Sequence, residues 1–294
     1  MAPLPPAATR ALAHVAARAR GGPVEPSWRV TLHFHPDRLV RGTPVLRAMA
    51  ADGRYRSQFE TGTGNGGLSA HPGGDRWRWE SRLFGGVYDA APNVERPVYG
   101  SLNHRWRDVG GSPRFGSAHL RLTTDTLSRS TFCYPDSAFE PVEVGTASRA
   151  AAVVDLADAD ERDVLDDYVE AHVHGGVLFH GDVEALVLDP CHRGTEVEQD
   201  AHRLGVPVEW HAGFATTVDV VAGHPGYRGA DVVAAAARIA PEGVLTARVI
   251  GNAARAGVED EQVLKRVWHC TARFGRPSTG GPPARRGAAS DPAP

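Results

Sequence analysis

Short runs of branched and aromatic residues that follow one another without regular helical crossovers constrain this chain most. Arg29–His35, Val98–Leu102, Ser117–Thr123, Ser130–Tyr134, Val169–Val173 and Val183–Leu188 have strand length and strand composition, and glycine or proline interrupts the chain between them. Parallel neighbours need a long crossover, usually a helix, so a doubly wound sheet or an eight-fold barrel is disfavoured. The pattern predicts an antiparallel α+β domain, with helices over Pro44–Asp52 and Glu161–Asp167 and two more within 229–274.

The ends differ from the middle. Residues 1–26 read as a helical or flexible arm: Ala7–Arg20 has helix-forming composition and no acidic residue before Gly21, Gly22 and Pro23 interrupt it. Residues 27–220 form the expected catalytic domain, 221–274 a helical region packed on it, and 275–294 a disordered tail too poor in large apolar groups to order. The apolar stretches, such as Val232–Ala237, are too short to span a bilayer. A net charge of -3 gives no broad positive field, so neither a membrane nor a nucleic acid is an expected partner. Of the 32 lysine and arginine residues only Lys265 is a lysine, which makes nearly every cationic site a planar guanidinium fork. The 3 cysteines are far apart and form no CxxC pair, and no Sec signal is visible in Met1–Gly22. A cytoplasmic protein is expected, or one delivered by a route without a Sec signal.

The richest segment is Tyr168–Gly176. Period-two alternation sets Val169, Ala171 and Val173 on one face and Glu170, His172 and His174 on the other, a face that meets solvent or lines a cleft. In LHFHPDR, Val30, Leu32 and Phe34 alternate with Thr31, His33 and His35, and Pro36 ends the ladder, so His35 and Arg38 stand at a strand exit. In SQFETGTGNGG, Ser57, Phe59 and Glu60 lead into a glycine-rich stretch containing Asn65, whose backbone N–H groups can turn around an anion, although a plain surface turn gives the same pattern. RPVYGSLN and GSPRFGSAHLRL offer Tyr99 and Phe115 for stacking and Arg114 for a phosphate; as an alternative, the rings are core residues.

Taken in order, these motifs with EAHVHGGV and DVEALVLDP resemble a bacterial domain family of formerly unknown function whose members include effectors that ADP-ribosylate ubiquitin on threonine. The resemblance spans about residues 29–215. It implies a split antiparallel β-sheet core of the ADP-ribosyltransferase type that grips NAD as co-substrate and carries a strand-borne glutamate. Glu170 matches that glutamate, which would stabilise positive charge developing on the ribose as nicotinamide leaves. His35 or Arg38, with Arg29 less favoured, would hold the adenine side. Ser57 stands for a bracing serine, Phe59 is available to stack on nicotinamide, and Glu60, Asn65, Tyr99, Arg114, Phe115 and His172 complete the expected NAD contacts. The glutamate pair of arginine-modifying members is absent, since position 168 is Tyr168, so a protein hydroxyl is the expected acceptor, on threonine of ubiquitin or on another protein.

Two other classes compete. His33-x-His35 and His172-x-His174, with His180, His211 and Asp189, resemble the paired ligands of metal-dependent hydrolases, and neutral imidazoles suit that role. A module that binds a nucleotide without turnover is the non-enzymatic alternative.

Overall fold

A computed structural model describes residues 3–62 and 69–275. Asn65 and the tail beyond Gly275 lie outside the described residues.

Among the described residues, eight strands pair into one sheet: β1 (Val30–Phe34), β2 (Val98–Leu102), β3 (Ala118–Leu122), β4 (Ser130–Cys133), β5 (Val144–Thr146), β6 (Val169–Val173), β7 (Val183–Leu188) and β8 (Val208–Trp210). Their order is β8-β7-β3-β1-β2-β6-β4-β5. Every pairing is antiparallel except β7 with β8, whose crossover carries a short helix, Glu196–Ala201. All six runs read as strands form strands.

The expected split into separate small sheets is replaced by one continuous sheet. Its weak seam is β1/β2, where only Val30↔Leu102 and Thr31↔Ser101 pair, whereas β2 and β6 pair along their whole length from Val98↔Val173 to Leu102↔Val169. The Gly110–Ser112 segment lies over that seam: the Gly111 N–H donates to Thr31 Oγ1 at 3.0 Å and Ser112 Oγ donates to Ser101 Oγ at 2.9 Å. Glycine is required there, because a Cβ on Gly111 would meet Ser101 Oγ at 2.5 Å.

Helix α1 (Pro6–Ala16) buries Ala7, Ala11 and Val15 against Trp79, Leu83 and Phe84 of α3 (Asp75–Phe84), which sequence reading did not find. Helix α2 (Val45–Asp52) forms almost as expected. Glu161–Asp167 does not form a helix. The helix is α4 (Ala151–Ala159), which has the apolar residues to bury, Val153, Val154 and Ala157. The acidic stretch after it bonds locally, with Arg162 Nε on Asp160 at 2.6 Å and the Leu165 N–H on Asp163 at 3.0 Å.

Region 229–274 holds three helices, not two: α5 (Ala230–Ile239), α6 (Ala247–Ala256) and α7 (Glu261–Phe274). Pro241 and Gly243 break the first run, and the Thr246 and Asp260 side chains cap the next two helices. These helices close a second apolar core around Trp268, whose Nε1 donates to Pro113 O at 2.9 Å. No described helix is long and apolar enough to cross a membrane.

Candidate active site

Register places the chemistry. Across β6, Cys133 lies opposite Glu170, and both Thr131 and Tyr99 lie opposite His172, so these side chains share one face. That face is not solvated, as alternation alone allowed. Phe84 of α3 covers it, its ring standing edge-on to His172 at 5.5 Å and to His174 at 5.1 Å, and the whole of β6 is buried.

A chain of side-chain hydrogen bonds runs through this layer. Tyr88 Oη meets His174 Nδ1 at 2.7 Å, His174 Nε2 meets Thr131 Oγ1 at 3.0 Å, Thr131 Oγ1 meets His172 Nδ1 at 3.0 Å, and His172 Nε2 meets Glu170 Oε1 at 3.0 Å. Donor counting fixes its direction. Run from Tyr88 toward Glu170, each hydrogen finds an acceptor and the carboxylate receives the last one; run backward, the buried Tyr88 proton has no acceptor among the described residues. Ser137 Oγ donates to the other carboxylate oxygen at 3.2 Å. Burial pushes the Glu170 carboxyl up, but the His172 hydrogen bond, the Arg76 guanidinium and Ser137 outweigh it and hold the group below its ordinary value.

Glu170 opens on a small cleft lined also by Arg76, Arg114, Phe115, Asp136, Ser137 and Tyr168. Arg76, buried on the first turn of α3, lies over the Tyr99 ring at 4.1 Å and leaves Nε and Nη1 without partners. Behind it, Tyr99 Oη donates to Glu80 at 3.1 Å, Arg96 donates to the same carboxylate at 2.5 Å, and Arg96 lies over the Phe59 ring at 4.1 Å. Arg114 pairs with Asp166 and keeps Nε buried and free. Phe115 stands edge-on to Tyr168 at 5.5 Å.

The structure thus brings Glu170, Arg114 and Phe115 to one cleft. His172 and Tyr99 lie beneath it as supports. Ser57 and Glu60 form a reciprocal cap on the one-turn helix Gln58–Thr61, with Glu60 also held by Arg54, and Phe59 is buried against Arg96. His35 is half-buried, edge-on to Trp268 at 5.3 Å, and Arg38 reaches Glu261 at 3.4 Å; both face α7. Arg29 pairs with Glu184 at 2.6 Å. Arg76 was missed. Its signal was the i,i+4 spacing of Arg76 and Glu80 beside the apolar Trp79 and Leu83, an ion-bearing helix face pointing inward.

The profile of a family described as "Protein of unknown function (DUF3626)" matches residues 29–163 and 147–273. The chain belongs to this family. No curated protein matches it. The matched span runs through α5, α6 and α7, so the DUF3626 domain extends well beyond the motif series that stopped near 215.

In this DUF3626 chain the two HxH pairs do not converge. His33 lies beside His119 at 5.1 Å, whereas His35 meets Trp268; His180 is exposed, and the Asp189 carboxylate accepts from the Cys191 and Phe214 N–H groups. Among the described residues one triad has the spacing for a metal, Cys133, Glu170 and His172, with ligand atoms within 4.8 Å of one another. Its protons fit poorly. A metal on His172 Nε2 would reverse the chain back to Tyr88, and burial and then Glu170 push the Cys133 thiol well up, away from the thiolate a metal needs.

Proposed function

We propose that this domain is an NAD-dependent mono-ADP-ribosyltransferase acting on a protein hydroxyl, with NAD hydrolysis as a side reaction. The observation that carries the reading is a buried carboxylate held ionised at the mouth of a cleft whose other walls supply two guanidiniums with unpartnered N–H groups and two aromatic rings. Those features suit NAD: the free Arg76 and Arg114 donors match phosphate or ribose oxygens, and Phe115 and Tyr168 offer faces to a pyridine ring.

NAD supplies a glycosidic C–N bond that breaks with its electron pair leaving on nicotinamide, while the acceptor oxygen forms the new bond. Glu170 stabilises positive charge on the ribose and takes the proton of the acceptor hydroxyl. His172 holds that carboxylate in place, and Ser137 orients its second oxygen. The motif resemblance supports threonine of ubiquitin as the first acceptor to try.

The test is to incubate the full chain with NAD and ubiquitin, following nicotinamide by chromatography and ubiquitin by intact mass, with and without a chelator. Nicotinamide release that ignores the chelator is expected. Saturable NAD binding without product would favour a binding module, and chelator-sensitive turnover of another substrate would favour a hydrolase.

A further inference from the structure

The Glu170 cleft holds a second carboxylate. Asp136, buried on the turn that follows β4, lines the same cleft. Two hydrogen bonds join this turn to the start of β6. Tyr168 Oη donates to Asp136 Oδ2, and one residue along the turn Ser137 Oγ donates to Glu170 Oε2 at 3.2 Å. Tyr168 and Glu170 are two apart on an extended chain, so both side chains point to the cleft, each against its own residue of the turn. Asp136 also caps the turn, its Oδ1 accepting from the Ala138 N–H at 2.8 Å. An ionised carboxylate has about four lone-pair sites, so cap and tyrosine leave room for further donors. Burial, then the Glu170 charge, push the Asp136 carboxyl up. Two buried carboxylates on one cleft repel; a ligand that brings N–H donors or positive charge relieves that cost, and one that brings another anion adds to it.

We infer that Asp136 reads the carboxamide on the pyridine ring of the dinucleotide, and so selects NAD against the form that carries nicotinic acid. The inference rests on the NAD reading above and adds the group that chooses between the two pyridines. The ring end suits this wall, because it is the end of NAD that is cationic and carries an amide NH2, whereas the diphosphate is anionic. Tyr168 and Phe115 are the rings of the cleft, and the Tyr168 hydroxyl ends on Asp136, so a pyridine held among them has its rim within reach of that carboxylate. An amide there donates to Asp136. A carboxylate in its place meets Asp136 and Glu170 with like charge.

The test compares NAD with nicotinic acid adenine dinucleotide on the full chain, reading affinity by calorimetry and pyridine release by chromatography. Wild type should favour NAD by about a hundredfold in kcat/KM. Asp136→Asn has the same shape, keeps an oxygen for the Ala138 N–H and turns an acceptor into a donor, so the preference should shrink at least about tenfold. Comparing the two enzymes cancels the intrinsic difference between the leaving groups. Tyr168→Phe should keep the preference, whatever its rate, because the Asp136 charge remains. A preference unchanged in Asp136→Asn would overturn the inference while leaving NAD cleavage in place. An equal loss of preference in Tyr168→Phe would also overturn it, by showing that Asp136 acts only through the ring. Wild type that neither binds nor cleaves either dinucleotide would overturn the NAD reading and this inference with it.

Discussion

His33 and His172 occupy comparable positions, each inside a central strand of the same sheet and each followed two residues on by a second histidine. Their surroundings differ in kind. His33 Nδ1 donates to Gly116 O at 3.1 Å and its Nε2 accepts from the Ser112 N–H at 3.3 Å; nearby, His211 donates to Ser117 O at 2.7 Å and accepts from the Gly213 N–H. Main chain satisfies that group, which fastens loops to the sheet. His172 is satisfied by side chains, and its bonds end on an ionised carboxylate at an opening. An imidazole in a strand becomes part of a site when its partner can change charge and a ligand can reach that partner.

Replacement of the two histidines breaks this comparison most sharply. His172→Ala leaves Glu170 buried without its main support, and nicotinamide release should fall by about a hundredfold. His33→Ala should instead lower stability by about 1–3 kcal/mol through unsatisfied backbone groups, with kcat/KM close to wild type. Equal rate losses in the two variants, corrected for folded fraction by circular dichroism, would remove the distinction.

Acid should act on both groups alike. Burial, first among the causes, lowers His33 and His174 from 6.5 to about 3. Such groups give full stability above the unfolded value and lose it as pH falls from about 6.5 toward 3, at about 1.4 kcal/mol per pH unit for each histidine. Urea midpoints measured from pH 7 down to pH 4 should decline steadily, and His33→Gln should flatten part of that slope.

A smaller effect belongs to the middle of the chain of bonds. Thr131→Val removes the hydroxyl between His174 and His172, so His172 loses its donor and Glu170 some of its support. The expected result is about a fivefold loss of rate, with the acid limb of the pH profile moved to higher pH, because the carboxylate is then easier to protonate. Thr131→Ser should restore both. An unmoved limb would show that the hydroxyl only packs.

Much of the sheet was legible because strand signals are local: branched residues, alternation and glycine or proline punctuation mark all six expected strands. Glu170, Arg114 and Phe115, singled out by their motifs, do meet at one cleft. Arg76 was not, because an arginine on a helix declares itself only when that helix packs its charged side inward, a tertiary event. Ser57 and Glu60 drew attention as a polar motif, yet the same spacing is a helix cap, which local physics fully explains. The misplaced helix at Glu161–Asp167 has a related cause, since aspartates there bond to nearby backbone and guanidinium groups and end α4.

The central claim is that an ionised Glu170 faces the sugar from which nicotinamide departs, and its most direct test is the comparison of wild type with Glu170→Gln, an isosteric change that removes only the charge. Both should bind NAD with similar affinity by calorimetry, while single-turnover nicotinamide release drops at least about a hundredfold in the variant. Undiminished release by Glu170→Gln would contradict the account.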